Sequence, residues 1–458
     1  MAKIQKFDLI VIGSGAGLDV AAAVASKGLK TAVIEKGRLG GTCLNRGCIP
    51  SKMLLHTADV IETLNNAKIF GIKVKGYETD FSYIIKRASR TVDKESAQME
   101  RGLMHSKNPI LFKEKCEFVG RKIIKVGAEF VTANKILIAA GSRPTIPKIP
   151  GLKNSGFITS TEALRLKKQP KTLTIIGGGY VAAELAHFYG SLGTKINIVQ
   201  RNSLLIDRED GEIAARFTEI ARTKYNVYAD SEPMNVSKRG KEIAVTIKNK
   251  KNNRKKTLRS DALLIAVGVT PNSDTLNVKR AGIKTDKRGY VITDKYLETN
   301  IKGVYAIGDV VGHYLFRHSA NLEAECANTN ILGKRKVPVD YRAMPHAIFA
   351  SPQIGSVGLT EEKLKEKGIG YAVGKKEYIK TAKGMAIGDR TGFVKFLVER
   401  RTGKILGCHI MGTDASTLIH EVIVAMRSGD GGIDNITNAV HVHPALSEVV
   451  VKAALSVR

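Results

Sequence analysis

Cys43 and Cys48 stand five positions apart in the run Gly40-Gly41-Thr42-Cys43-Leu44-Asn45-Arg46-Gly47-Cys48-Ile49-Pro50-Ser51-Lys52. One helical or distorted turn brings two sulfurs at that spacing together, which is the arrangement of a redox-active dithiol. Gly40 and Gly41 have no Cβ, so the backbone there can lie against a large, flat group. Pro50 suits the opening turn of a helix, and a helix N-terminus favours the thiolate of a nearby cysteine. Lys52 adds a positive charge close behind. A zinc knuckle and an incidental surface disulfide compete for the same residues. Zinc needs two further ligands at matching spacing, and the sequence has no second close cysteine pair. No metal is expected.

The elements that must position this pair are also legible. Phe7 to Ile12 is an apolar, β-branched run ending in Gly13-Ser14-Gly15-Ala16-Gly17. An alanine-rich helical stretch from Ala21 to Ser26 follows, then a second strand from Thr31 to Ile34 that ends in Glu35. Strand, glycine turn, helix, strand and acid in this order make a dinucleotide-binding unit. The helix N-terminus faces a pyrophosphate and Glu35 is placed for a ribose hydroxyl. The third glycine of the usual pattern falls on Leu18, so helix–strand packing is expected to differ there, with Gly17 serving nearby. A second unit runs from the strand Thr172 to Ile176 through Gly177-Gly178-Gly179-Tyr180 to the strand Lys195 to Val199, which ends in Gln200-Arg201. An acid at that strand end would bind the free ribose of NAD, whereas an arginine accommodates the extra phosphate of NADP. Lys52 to Asn65 reads as a helix.

Length and composition set the frame. At 458 residues the chain is too long for one ordinary core, and 43% hydrophobic with 25% charged residues is globular usage. No apolar run approaches the roughly 20 residues of a membrane span, and the N-terminus offers no signal peptide. Five cysteines, only two of them close, do not make a secreted disulfide framework. A cytoplasmic protein is expected, with Cys116, Cys326 and Cys408 as packing residues. The net charge of +30 would steer the chain toward anionic partners. Its densest cluster, Lys248 to Lys256, reads as a hairpin tip with no aromatic residues interleaved for base stacking. Nucleic acid is not expected, and a non-catalytic basic binding protein is the reading from a different class.

The segment GGTCLNRGCIPSK resembles the redox signature of the flavoprotein pyridine nucleotide-disulfide oxidoreductases, and the resemblance covers the chain in family order. Thr132 to Pro144, Ala262 to Pro271, Val304 to Val310, Ile348 to Leu359 and His441 to Glu448 each resemble a family station. The resemblance implies an α/β fold with two Rossmann-like domains, for FAD and NAD(P), and a C-terminal α+β dimerisation domain. The implied boundaries are 1–149 and 272–342 for FAD, 150–271 for the nicotinamide, and 343–458 for dimerisation. It implies FAD contacts at Gly13, Gly15, Gly17, Glu35, Lys36, Gly41, Thr42, Ala140, Gly141 and Asp309. Gly177, Gly179, Tyr180, Arg201 and Gly268 are the implied nicotinamide contacts. Ala182 at the third glycine position resembles NADP-using members, as Arg201 does, while Asp207 stands where glutathione reductases carry a second arginine; NADPH is favoured over NAD.

The resemblance further implies a Cys43–Cys48 disulfide, with Cys48 facing the flavin and Cys43 exchanging with substrate. Lys52 pairs with Glu184 beside the flavin, and His443, oriented by Glu448, serves the cysteines of the other subunit of a homodimer. His441 is the rival histidine. The first expectation for activity is that of a dihydrolipoamide dehydrogenase acting on the dihydrolipoyl group of an acyltransferase complex. The alternative is NADPH-dependent reduction of a small disulfide, in the manner of mycothione or glutathione reductase; the segment Leu315 to Asn321 sits closer to mycothione reductases.

Overall fold

The computed structural model describes residues 4–458, which fold as two units. The first comprises 4–53, Tyr83–Thr145 and Gly268–Tyr341. Its centre is a parallel arrangement in which Ile4–Ile12 lies between Thr31–Ile34 and Glu129–Ile138. Ile110–Phe112 extends the sheet beyond Thr31–Ile34, and Val304–Ala306 runs parallel to Glu129–Ile138. Ile123–Val126 and Cys116–Gly120 continue it antiparallel. A parallel sheet is covered on both faces, and Thr31–Ile34, the end of Ile4–Ile12 from Leu9 and the end of Glu129–Ile138 from Ile136 are accordingly buried at every position. Alternate residues divide between the faces: Ile10 and Ile12 enter one core, Leu9 and Val11 the other.

The second unit comprises Leu54–Ser82, Ile146–Val267 and Arg342–Arg458. Thr172–Ile176 lies between Lys195–Val199 and Ala262–Ile265 in a four-stranded parallel sheet completed by Asn226–Tyr228. The meander Ser231–Arg239, Glu242–Asn249 and Lys255–Ser260 packs on this sheet through Val236, Ile243, Val245, Ile247 and Leu258. The lysine-rich run forms the turn between its last two strands, as its composition predicts. A five-stranded antiparallel sheet from Pro345–Ile348 to Phe393–Glu399 and Ile405–Met411 forms the C-terminal part. The helix Ala415–Arg427 buries Ala415, Ile419, Val422 and Ala425 in the same core as that sheet, a stripe at helical spacing.

One buried ionic cluster ties the C-terminal sheet to the chain that follows Arg201. Lys395 Nζ lies 2.8 Å from Asp210 Oδ1 and 2.6 Å from Glu361 Oε2. The Lys395 side chain is 3% exposed and that of Asp210 is fully buried. The Glu361 N–H donates to the other oxygen of Asp210 at 3.1 Å. The Lys395 hydrogen bond lowers the Glu361 carboxyl from its ordinary 4.5 to about 2, against the opposing effect of burial. A carboxyl depressed in the fold contributes stability that is present above pH 4.5 and is lost as pH falls through 2. Removing one partner of a buried pair strands the other charge. Lys395→Met is therefore expected to cost about 3–5 kcal/mol at neutral pH, read as a lower unfolding midpoint in urea. Its stability is also expected to fall less steeply on acidification between pH 4.5 and 2 than that of the parent.

Candidate active site

The dithiol is built by a broken helix. Gly41–Arg46 forms a short helix, Gly47 interrupts it at φ −141° and ψ −117°, and the long helix Cys48–Asn66 starts at once. It begins four residues before the start expected from the sequence. A Cβ on Gly47 would stand 2.9 Å from the Thr42 carbonyl oxygen, so only glycine lets the second helix fold back on the first. Asn45 secures the short helix from below, its amide donating to the Leu39 and Gly41 carbonyls at 2.7 and 3.0 Å.

This turn sets Cys48 against Cys43, whose sulfur meets both the Cys48 thiol and the Cys48 backbone N–H. Both cysteines are free thiols, Cys43 half-buried and Cys48 exposed. The expected low thiol pKa does not hold for Cys43. The hydrogen bond with the Cys48 thiol and then burial push the Cys43 thiol up, while Arg317 and the Cys48 N–H oppose them. A second sulfur competing for negative charge outweighs the helix end.

The segment is seated on the first glycine loop. A Cβ on Gly41 would stand 2.9 Å from the Gly15 Cα, so the two backbones meet directly. Gly17 resolves the Leu18 departure: its absent Cβ would lie 2.7 Å from Val11 Cγ1 and 2.9 Å from the Ala139 Cβ. The close helix–strand approach therefore falls at position 17, and Leu18 packs beside it. Glu35 turns back to the loop, accepting from the Ser14 N–H at 3.0 Å, the Ser14 hydroxyl at 2.7 Å and the Gly37 N–H at 2.7 Å. Lys36 and Thr42 are exposed.

In the same unit Asp309 is half-buried and accepts from the Ser142 hydroxyl at 2.6 Å. Burial raises its carboxyl, against that hydrogen bond. Beside it, Glu323 is fully buried and accepts from the Gly308 N–H at 2.5 Å and the Tyr341 hydroxyl at 2.6 Å. Ala139, Ala140 and Gly141 line the sheet end with small residues, and Gly141 has open space where a Cβ would point. The helix Gly17–Ala25 has no side-chain cap, so its first N–H groups remain for a phosphate. These residues fit FAD.

The second loop has the same logic with different details. Gly177 adopts φ +118° against the Ala266 carbonyl, and Gly179 opens the helix Tyr180–Ser191 without a side-chain cap. Ala182 is buried and Tyr180 is 39% exposed. Glu184 is buried, and its carboxylate accepts from the Phe349 N–H at 3.1 Å. Gln200 is buried over Gly178, where a Cβ would come within 2.8 Å of its Cδ. Its amide donates to the Leu204 carbonyl at 3.2 Å and accepts from the Arg201 N–H at 3.0 Å. The following loop is tied down along its length. The Ile206 N–H donates to the Gly178 carbonyl at 2.6 Å, the Leu205 N–H to the Thr218 hydroxyl at 2.9 Å, and the Asn202 amide to Asp207. Arg201 is exposed at its head. These groups fit a nicotinamide dinucleotide, and the strand end offers the cation Arg201 and no acid.

At the C-terminal end His443 Nδ1 lies 3.1 Å from Glu448 Oε1, and the His443 side chain is 70% exposed. Glu448 occupies Nδ1, so Nε2 is the nitrogen that can exchange a proton with a substrate. The His443 hydrogen bond holds the Glu448 carboxyl below its usual range, against a smaller opposing effect of burial. His441, the rival, has both ring nitrogens engaged, by Glu421 and by the Ala439 carbonyl. Gly268, at φ +113°, has open space where a Cβ would point. Among the described residues no group of three or more His, Cys, Asp and Glu side chains is placed to hold a metal ion. Ser14, Asn45, Ser142, Arg317 and Glu323 were not singled out by sequence as site residues. Their only local signal is proximity to a glycine turn or a redox motif.

Known proteins match this arrangement along the whole chain. The family model described as pyridine nucleotide-disulphide oxidoreductase matches residues 7–331, and that of the same family's dimerisation domain matches residues 344–454. Mycothione reductase of Mycobacterium tuberculosis is 35% identical over 469 residues, covering 99% of this chain and 100% of that one. Dihydrolipoyl dehydrogenase of Chlorobaculum tepidum is 37% identical over 461 residues, covering 98% and 96%. Among solved structures, the Cu(II) complex of the HOCl-induced flavoprotein disulfide reductase RclA from Escherichia coli superposes with a TM-score of 0.87. It is 28% identical and covers 99% of each chain. With both of its family models matched in order and the dithiol in place, this chain belongs to the pyridine nucleotide-disulphide oxidoreductases, flavoprotein enzymes that use FAD and NAD(P)H.

Proposed function

We propose that this enzyme uses NADPH to reduce a low-molecular-weight disulfide, with Cys43 and Cys48 as the dithiol. The observation that carries the nicotinamide choice is Gln200, whose side chain is folded into its own turn beside the exposed Arg201. That turn offers a 2′-phosphate a cation and offers a free ribose no strand-end carboxylate. The net reaction consumes NADPH, a proton and a disulfide, and yields NADP⁺ and two thiols. FAD, when bound, supplies the two-electron step between the nicotinamide and the Cys43–Cys48 disulfide. Cys43 then attacks the substrate disulfide as the thiolate, one thiol leaves, and Cys48 displaces the second by attacking Cys43.

His443 of a second copy is the proton carrier of this exchange, oriented by Glu448. The match to the dimerisation domain supports a homodimer, as do the exposed apolar side chains of Val424, Val440, Val442 and Leu455. A second reading is NAD⁺-dependent oxidation of a protein-bound dihydrolipoyl group. It is favoured by the resemblance of His441-Val442-His443-Pro444 and by the 37% identity to a dihydrolipoyl dehydrogenase.

Steady-state kinetics of the FAD-loaded protein separate the two. Turnover with NADPH and a panel of small disulfides is the expected result. Rapid NAD⁺ reduction by dihydrolipoamide, with no NADPH turnover, would replace it with the second reading. Arg201→Ala is expected to raise the KM for NADPH about ten- to a hundred-fold, with kcat little changed, because a charged hydrogen bond is removed. His443→Gln is expected to lower kcat about 10²-fold or more, while NADPH still reduces the Cys43–Cys48 pair in a single-turnover thiol assay.

A further inference from the structure

The first glycine loop has a negatively charged pyrophosphate to hold, yet its own sequence brings acids rather than bases. From Gly13 to Ser26 there is no lysine or arginine, while Asp19 and, after the next strand, Glu35 are carboxylates. Glu35 spends its oxygens on the Ser14 and Gly37 N–H groups and the Ser14 hydroxyl. A cation reaches the loop from 298 residues beyond Asp19. Arg317 opens the helix Arg317–Leu332, in the same unit as the loop. Its Nη1 lies 3.9 Å from the point that a Cβ on Gly15 would occupy. Apart from the chain neighbours of Gly15, no other described atom comes within 4 Å of that point. Gly15 is the second glycine of the turn, the one whose missing side chain lets the backbone approach a pyrophosphate. Arg317 Nη2 lies 3.5 Å from Asp19 Oδ2, in the first turn of the helix Gly17–Ala25, whose start has no side-chain cap. The pairing is loose, with the two side chains 32% and 67% exposed. An exposed ion pair of that kind is worth little, so the guanidinium leaves Asp19 at small cost.

We propose that Arg317 binds the pyrophosphate of FAD and closes the glycine loop over it. The inference rests on the family's use of FAD and is independent of which disulfide the enzyme reduces. A planar guanidinium offers paired N–H donors to phosphate oxygens at about 2.8 Å and keeps its charge throughout the working pH range. Backbone N–H groups at the uncapped helix start are the neutral donors of the site. Arg317 adds the positive charge that the loop's own sequence lacks. Asp19 competes for the same guanidinium and carries the sign of the phosphate, so it lowers the affinity for FAD rather than adding to it.

The test is the Kd for FAD, read from the fluorescence of flavin released on dilution of the holoenzyme at low and at high salt. Arg317→Met is expected to raise that Kd about ten- to a hundred-fold at low salt, because a charged hydrogen bond is removed. Its Kd is also expected to rise less steeply with salt than the parent's, since the screened charge is gone. Arg317→Lys is expected to recover most of the affinity and of the salt dependence. Asp19→Asn is expected to hold FAD as tightly as the parent or more tightly. An unchanged Kd in Arg317→Met overturns the proposal. So does a weakened Kd that still rises with salt as steeply as the parent's. Asp19→Asn loosening FAD as much as Arg317→Met does also overturns it, and makes the pair only a tie between two helices. Should Arg317→Met fail to fold, a parent whose Kd for FAD does not respond to salt overturns the proposal by itself. Disulfide turnover enters none of these readings, so they stand whichever substrate the kinetics assign.

Discussion

Gly41 and Gly15 meet backbone to backbone, and a side chain on Gly41 would separate them. This contact joins two sequence devices that would otherwise be independent: a loop that presents helix N–H groups to a phosphate, and a broken helix that presents sulfur. It fixes where the dithiol starts relative to the loop, and Gly47 then fixes how sharply the second helix turns back. With the geometry set by two absent Cβ atoms, those of Gly41 and Gly47, the surrounding polar groups serve as trim. Glu35 closes the loop through Ser14 and Gly37, Asn45 seats the short helix, and the Arg317 guanidinium approaches Gly15.

The parts legible in the sequence are those governed by local period and by glycine. The strand before Gly13, the helix after it and the acid at Glu35 follow one another within a few residues, and the structure keeps that order. Leu18 looked like a defect because the motif counts positions, whereas packing depends on distance; Gly17 is the residue that faces Val11 and Ala139. The long-range partners were not legible. Ser142 meets Asp309 across 167 residues, and Lys395 meets Asp210 across 185. No periodicity announces such pairs, since each is decided by which strand ends the topology brings together. The Cys43 thiol was misread for a related reason. A helix end and a lysine are visible locally, but the competition between two adjacent sulfurs depends on how tightly Gly47 folds the chain.

The two dinucleotide loops use one topology and diverge at the end of the second strand. In the first, Glu35 spends both oxygens on its own loop, at the rim. In the second, the corresponding side chain is an amide that has been drawn beneath the loop, over Gly178. The polar end of Gln200 is consumed by Leu204 and Arg201, which removes it from the ligand's side and leaves the next residue, Arg201, to face outward. The chemistry of this edge thus depends on where a neutral side chain is stored as much as on where a charged one is displayed.

The loop that carries Arg201 is fastened at its head by Gln200, in its middle by Ile206 to Gly178 and Leu205 to Thr218, and at its foot by Asp210 to Lys395. A segment held at so many points surrenders little conformational freedom when an anion arrives, because its backbone was ordered during folding. The entropy of ordering the backbone beneath Arg201 is therefore settled before any ligand is present. A cation carried on so fixed a loop can select by position as well as by charge, because the backbone beneath it does not follow a displaced anion.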